Sequence, residues 1–395
     1  MLDIEKKTQF SQILRHLADS LDISETRYED AVKKYEAVGK WLGKEDSPLA
    51  LYSPEIYPQG SFNLGTVVTP VSQEDTYDID LVCQLDISPK KVTQQQLKKM
   101  VGDRLKTHKA YAGMLEKEGR RCWTLDYADS TKFHMDILPA IPDDYNWLIQ
   151  LGIPYVLARH AICITDKDRW HLDPNWPRSN PKGYGCWFRQ QMITVFESQR
   201  KFLAEQLRAN IEDVPDYKVK TPLQRAIQIL KRHRDIMFAN DPEGMPISII
   251  ITTLAAHAYN NETDLYEALI SLVKDMPRYI ESRDGILWVP NPVNPGENFA
   301  DKWQEHPDRA FKFRKWLVQV GKDITAALEY QGIHEIANAL KPAFGEKSLN
   351  EAIVTYGEKL KKQRQNGKLK MAAGSGVLGI SGQTNVRGHT FYGRQ

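Results

Sequence analysis

The pattern of apolar and polar positions predicts a mixed first half and a helical second half. Apolar residues recur every three or four positions over residues 2–42, which predicts helices there, and Ser24 is placed to cap the second one. Strict alternation from Tyr77 to Cys83, and again over residues 133–138, is typical of half-buried strands. Residues 121–127 form a further predicted strand. The polar residues 128–131 then predict a hairpin that joins this strand to the next.

The second half carries mostly helical signals. Thr221 and Pro222 form a favourable helix start, because proline is tolerated in the first turn. Residues 95–118 of the first half also have helical spacing. The other predicted helices lie at 185–208, 246–260, 263–275, 306–330 and 333–342. Residues 289–296 predict an extended loop. Residues 361–395 are rich in glycine and poor in bulky apolar residues, which predicts a flexible tail.

Charge and composition narrow the classes of protein that fit. The chain of 395 residues is 41% hydrophobic, which excludes a disordered chain. Its 53 basic and 51 acidic side chains nearly balance, which excludes a strongly basic, histone-like nucleic-acid-binding protein. The segment from Lys359 onward contains eight basic residues and no acidic residue, so the residues before it carry a small net negative charge. The four cysteines show no CxxC spacing, and no apolar run approaches the ~20 residues of a membrane span. We therefore expect a soluble, cytoplasmic protein with reduced thiols.

The sharpest candidate chemistry is a pair of aspartates on one strand. Alternation places Asp78 and Asp80 on the same face, while Ile79 and Leu81 point the other way. Two neighbouring carboxylates repel each other unless a cation lies between them, and oxygen ligands suit a hard divalent ion. An exposed polar strand face is the alternative interpretation.

A second strand offers a third carboxylate. Asp136 lies in an apolar strand, where burying it without a partner would be costly, and pairing could bring it beside Asp78 and Asp80. Three carboxylates could hold two metal ions, and Asp136 would also be able to accept a proton from an attacking hydroxyl. Asp126 and Asp129 are the rivals for this third role, with Asp126 ranked second. His134 is expected to be a structural neighbour and not a ligand.

A turn just before the acidic strand could bind phosphate. Gly60 lets the backbone approach closely, and the amide and hydroxyl of Ser61 could donate to phosphate oxygens. A plain turn is the alternative.

In order and spacing, these pieces resemble the polymerase-β-type nucleotidyltransferase signature of the bacterial CD-NTases, relatives of cyclic GMP-AMP synthase and the oligoadenylate synthetases. The matching segments are residues 58–66, 77–81, 133–140, 223–235, 246–250 and 291–303. The resemblance implies an α+β fold. The first part would be a polymerase-β-like palm at 1–210, which contains a mixed β-sheet, flanking helices and the N-terminal helices. An oligoadenylate-synthetase-like helical domain would follow at 211–360, and a flexible basic tail at 361–395.

The resemblance also implies an activity. Such enzymes join nucleoside triphosphates without a template into a cyclic di- or trinucleotide messenger for antiphage signalling, releasing pyrophosphate, and we expect ATP among the substrates. Asp78, Asp80 and Asp136 would be the catalytic residues and the ligands of two Mg²⁺ ions, with Mn²⁺ as a substitute. The residues implied to bind the nucleotide are Gln59, Gly60, Ser61, Lys231 and Ser248.

Lys231 also has an interpretation from the helix pattern alone. Gln224, Gln228, Lys231 and Asp235 form a polar stripe opposite the apolar one, and a lysine suits a β- or γ-phosphate. A solvated helix face is the alternative. The neighbouring Arg232, His233 and Arg234 are expected at the surface or near the acceptor.

Partners and rival functions complete the expectations. The scattered Cys and His residues have no zinc-ribbon spacing, so we expect no direct activation by double-stranded DNA. The tail could be a handle for a regulatory protein or simply an unstructured end. A linear terminal nucleotidyltransferase acting on an RNA or protein acceptor is the alternative enzyme. A nucleotide sensor on the same fold is the non-enzymatic alternative.

Overall fold

The computed structural model describes residues 4–72, 75–128, 132–173 and 175–386, and the chain divides into two compact units. The sheet unit comprises Ile23–Ile193 and Pro290–Phe299. The helical unit comprises the residues up to Asp22, Thr194–Val289 and the residues from Ala300 onward.

Helices make up most of both units. They are α1 (Ile4–Leu21), α2 (Glu25–Leu42), α3 (Gly60–Leu64), α4 (Gln94–Lys106), α5 (Lys109–Met114), α6 (Asn146–Gln150), α7 (Tyr155–Ala158), α8 (Pro181–Leu207), α9 (Pro222–Met237), α10 (Ser248–Ala258), α11 (Leu265–Asp275), α12 (Lys302–Glu305), α13 (Pro307–Glu329), α14 (Ile333–Phe344) and α15 (Glu346–Gln365). The sequence patterns found most of these helices but did not indicate α15.

The strands form one large sheet and three small ones. They are β1 (Glu55–Pro58), β2 (Tyr77–Gln84), β3 (Trp123–Tyr127), β4 (Phe133–Pro142), β5 (Ile162–Ile164), β6 (Arg178–Ser179), β7 (Glu281–Arg283), β8 (Ile286–Trp288), β9 (Pro290–Asn291), β10 (Asn294–Asn298), β11 (Lys370–Met371), β12 (Leu378–Gly379) and β13 (Thr384–Asn385). The predicted loop at 289–296 therefore contains a short β9–β10 ribbon.

The sheet unit is built on the order β1-β2-β4-β5-β6, with β3 also paired to β4. Strands β2 and β4 run parallel, and the other pairs are antiparallel, so the sheet is mixed as expected. The predicted hairpin of β3 and β4 is confirmed. One sheet face is apolar, with Ile79, Met135 and Ile137 almost fully buried in a cluster that also contains Leu97 and Val101 of α4. Burial of this face leaves the alternate residues of β2, β3 and β4 on the opposite face.

The N-terminal helices divide differently from the predicted 1–210 domain. The buried stripe of α1 includes Phe10, Leu14 and Leu17, and this helix packs against α9, α11 and α15 of the helical unit. Helix α2 instead contributes Ala31 and Val38 to the core of the sheet unit. Its predicted cap is confirmed, because Ser24 accepts a hydrogen bond from the backbone of Arg27. Packing between segments that are distant in sequence decides this division. Helical periodicity shows which side of a helix is buried, but not which unit the helix packs against.

The C-terminal segment also differs from the flexible tail expected over 361–395. Helix α15 continues to Gln365, and strands β11, β12 and β13 pair into a three-stranded sheet. Leu369 and Ala372 are buried there, and Ser375 donates a hydrogen bond to Glu5 of α1. The strand pairs supply partners for the backbone N–H and C=O groups, and the buried Leu369 and Ala372 anchor the segment. Residues 387–395, which hold most of the proposed regulatory handle, lie outside the described residues.

Within the described part of the chain, no helix combines the length and apolar character needed to cross a membrane. The four cysteines all lie in described segments and are free thiols.

Candidate active site

Strand pairing assembles the predicted carboxylates on the polar face of the large sheet. In the parallel β2–β4 pair, Asp80 lies opposite Asp136 and Asp78 lies opposite His134. In the antiparallel β3–β4 pair, Thr124 lies opposite Asp136 and Asp126 lies opposite His134. The face therefore carries two rows, one of Asp80, Asp136 and Thr124, and one of Asp78, His134 and Asp126.

This register distinguishes the rivals for the third carboxylate. Asp136 is the direct cross-strand neighbour of Asp80, and paired residues on one face have Cβ atoms about 5 Å apart. Asp126 is two strands away from Asp78, with His134 between them. Asp129 lies outside the described residues. The arrangement favours Asp136.

The electrostatics of the face show that its carboxylates are crowded. Partial desolvation raises the pKa of Asp78 above its ordinary value, and the negative charge of Asp136 raises it further. His134 acts in the opposite direction and partly offsets both effects. A divalent cation would relieve this repulsion, and carboxylate oxygens are the donors that Mg²⁺ prefers. The donor set therefore fits a hard metal ion.

The side chain of Thr124 orients Asp136. The sequence patterns did not identify Thr124 as part of the site. Its hydroxyl donates a hydrogen bond of 2.5 Å to Oδ1 of Asp136. The bond fixes the carboxylate rotamer and leaves Oδ2 available to another group. Alternation along residues 123–127 was visible in the sequence, but only the hairpin register shows that Thr124 faces Asp136.

The turn before the acidic strand lies directly against Asp80. The backbone amide of Gln59 donates to the carbonyl oxygen of Asp80 at 2.8 Å, which extends the β1–β2 pairing by one residue. Gly60 then adopts φ = +60° at the start of α3. A Cβ at Gly60 would overlap Oδ2 of Asp80 and lie 3.2 Å from its Cγ. Glycine therefore favours the left-handed backbone conformation and lets the turn approach Asp80 without displacing its carboxylate, and Ser61 follows it, partly exposed.

Lys231 and Ser248 lie on two adjacent helices of the helical unit. The predicted start of α9 is confirmed, since Thr221 and Gln224 form a capping box there. Ser248 begins α10, and its hydroxyl accepts a hydrogen bond of 2.8 Å from Arg234 of α9. Arg234 also donates to the carbonyl oxygen of Pro246, so this guanidinium ties the start of α10 to α9.

The polar stripe of α9 is not a solvated face. Gln224, Gln228 and Lys231 are all buried, and Gln228 donates to Asp22 at 2.9 Å. Helix α1, which ends at Leu21, packs against α9, and a polar network replaces water at this boundary.

Two neighbours of Lys231, which were expected at the surface or near the acceptor, are not at the surface. Arg232 is buried and donates to Ser348. His233 is also buried, and both of its ring nitrogens have partners there. Its Nδ1 accepts a hydrogen bond from Trp316, and its Nε2 lies 2.9 Å from Oδ2 of Asp323. Both side chains connect α9 to helices that are distant in sequence, and this structural role explains why they are charged or polar yet buried.

Comparison with known proteins identifies the class of enzyme. Residues 54–139, which include the glycine turn and all three aspartates, match the family model described as the nucleotidyltransferase domain of DncV-like cyclic GMP-AMP synthases. The structure of the CD-NTase CdnG of Bradyrhizobium diazoefficiens in complex with GTP is similar in fold, with a TM-score of 0.69 and 23% sequence identity. That match covers 88% of this chain and 99% of the other. The fold is that of a nucleotidyltransferase.

Two relatives then define the family. The chain is 30% identical over 391 residues to the c-di-GMP synthase of Roseivirga ehrenbergii, covering 98% of each chain. It is 25% identical to the cyclic dinucleotide synthase CdnG of Bradyrhizobium diazoefficiens, covering 97% of this chain and 94% of that protein. This protein belongs to the bacterial CD-NTase family. It is a nucleotidyltransferase, and enzymes of this kind are normally metal-dependent.

Proposed function

We propose that this protein converts two molecules of GTP into a cyclic dinucleotide. The relatives named as c-di-GMP synthase and as CdnG, the latter solved with GTP, support GTP in place of the ATP that the family resemblance led us to expect. In each of two steps a ribose hydroxyl oxygen attacks an α-phosphorus, the bond to pyrophosphate breaks, and the hydroxyl proton is taken up by a base. The second step closes the ring, so two pyrophosphates are released.

The observation that carries this proposal is the pairing of Asp80 with Asp136 on the face that also holds Asp78. These three carboxylates are our proposed ligands for two Mg²⁺ ions, with Mn²⁺ as a substitute. When bound, such ions stabilise the negative charge on the attacking and leaving oxygens. Asp136, oriented by Thr124, is the proposed acceptor of the hydroxyl proton.

The remaining proposed contacts concern the nucleotide phosphates. The close approach of Gly60 to Asp80 supports a phosphate contact at the backbone of Gln59, Gly60 and Ser61. Lys231 and Ser248 are proposed to bind the triphosphate as a point charge and a hydroxyl donor, respectively. The hydrogen bond from Arg234 leaves the Ser248 hydroxyl proton free to donate to such a ligand.

The test uses the purified full chain with labelled GTP, alone and mixed with the other NTPs, in Mg²⁺ or Mn²⁺. We expect a phosphatase-resistant product whose mass matches a cyclic dinucleotide. Asp78→Asn combined with Asp80→Asn should abolish it, while Asp86→Asn, at an exposed carboxyl just beyond β2, should not. Linear products that need an RNA or protein acceptor would instead establish the terminal-transferase alternative. No product from the folded enzyme with any NTP would overturn the proposal.

We further propose that the product is an antiphage messenger and that a regulatory protein acts on the C-terminal tail. CdnC of Escherichia coli, a protein of similar fold, has been solved in complex with a HORMA protein, which supports the idea that this chain also has a protein partner. Deletion should begin at Arg387, because earlier truncation would remove the paired strands β12 and β13. The deletion should preserve basal synthesis and abolish phage-dependent synthesis. Unchanged phage-dependent synthesis would exclude the tail as the handle.

A further inference from the structure

A second group of potential metal ligands lies beside the three aspartates on the same sheet face. Glu116, Asp126 and His134 each offer one ligand atom, and these atoms all lie within 4.8 Å of one another. Nε2 of His134 is 3.3 Å from Oδ1 of Asp126 and 3.9 Å from Oε1 of Glu116. None of the three belongs to the proposed catalytic carboxylates.

Strand pairing holds these ligands in place. Asp126 and His134 are cross-strand partners in the β3–β4 hairpin, so their side chains project from adjacent positions of one face. Leu115 forms a bridge with Leu125, and the amide of Glu116 donates to the carbonyl oxygen of Thr124, which aligns Glu116 alongside β3. Sites carried by strands are more precisely positioned than sites on loops.

The spacing and the donor types indicate which metal would fit. In a tetrahedral site with bonds of ~2.0–2.1 Å, neighbouring ligand atoms lie about 3.3 Å apart. The His134–Asp126 separation has this value, and the third ligand atom, on Glu116, lies within 4.8 Å of the other two, so rotation of this exposed side chain would close the site. One imidazole with two carboxylates suits Zn²⁺, Mn²⁺ or Co²⁺, whereas Mg²⁺ favours oxygen ligands alone. Glu116 is exposed, so a further coordination position would face solvent.

We propose that Glu116, Asp126 and His134 form a binding site for one transition-metal ion of the Zn²⁺ type, separate from the Mg²⁺ site. His134 is thus assigned a ligand role, contrary to the expectation from the sequence. The proposal does not depend on the nucleotide chemistry, since it concerns binding of the ion alone.

The test is a titration of the chelator-treated full-length protein with Co²⁺, followed by its visible absorption spectrum and by displacement with Zn²⁺. We expect one tight equivalent per chain with an imidazole-containing ligand set, distinguished by its spectrum from weaker Co²⁺ binding at the all-carboxylate site. Glu116→Gln and His134→Gln should each weaken binding at least tenfold, whereas Glu45→Gln, at an exposed carboxyl of the same unit, should not.

A second pair of variants separates the two sites. Asp78→Asn combined with Asp80→Asn should leave the tight, imidazole-containing Co²⁺ equivalent intact. Loss of the tight Co²⁺ equivalent in that double variant, unchanged tight binding in Glu116→Gln and His134→Gln, or no stoichiometric tight binding at all would each overturn the proposal. Circular dichroism of every variant shows whether a loss of binding merely reflects unfolding.

Discussion

Replacing Gly60 by alanine should reduce catalysis far more than it reduces stability. Gly60 has φ = +60°, and an added Cβ would overlap Oδ2 of Asp80. Non-bonded heavy atoms pack at ~3.5 Å, so the Asp80 carboxylate would have to move by about 1 Å. A misplacement of about 1 Å in a catalytic group can cost roughly 100-fold in rate.

The expected loss of stability is much smaller. An alanine in the left-handed region costs about 1–2 kcal/mol, a fraction of the roughly 5–15 kcal/mol that keeps a domain folded. The protein should therefore remain folded while kcat for cyclic dinucleotide synthesis falls about 100-fold. Pyrophosphate release measures kcat, and thermal unfolding measures stability.

Gly152→Ala provides the matched control. Gly152 also lies in the sheet unit, has φ = +85°, and has no atom within 4 Å of an added Cβ. This variant should show a similar loss of stability with normal activity. An unchanged kcat in Gly60→Ala, or equal losses of activity in both variants, would refute the argument that Gly60 positions Asp80.

Three further predictions concern other side chains. Thr124→Val should lower kcat by about tenfold or more, because a hydrogen bond to a charged group contributes about 1.5–3 kcal/mol, and Thr124→Ser should restore it. Burial holds the pKa of His233 below 6.5, so the unfolded chain takes up a proton first and the free energy of unfolding should fall as pH drops below 6.5. Urea titrations at pH 7.5 and 5.5 test this, and His233→Gln should reduce the pH dependence. Lys231→Met should raise KM for GTP in steady-state assays, whereas an unchanged KM would remove Lys231 from the proposed triphosphate site.

The local features of the proposed catalytic face could be predicted from the sequence. Alternation along β2 and β4 shows which residues are buried, because burying one apolar face of a strand forces its other residues to the opposite side. The same reasoning identified the helix start at Thr221 and the cap at Ser24. These features depend only on near neighbours in the chain.

The tertiary structure decided which residues of neighbouring strands and helices face each other. Strands β2 and β4 are separated by about fifty residues, and only their parallel register places Asp136 beside Asp80 and His134 beside Asp78. The burial of Lys231, Arg232 and His233 likewise depends on packing against segments that are remote in sequence. Periodicity reports which side of an element is polar, but it does not report whether that polar side meets water or another polar group. For that physical reason the sequence by itself was enough to propose the three carboxylates. The positions of Thr124 and Glu116 beside them, and the burial of the polar stripe of α9, emerged only from the fold.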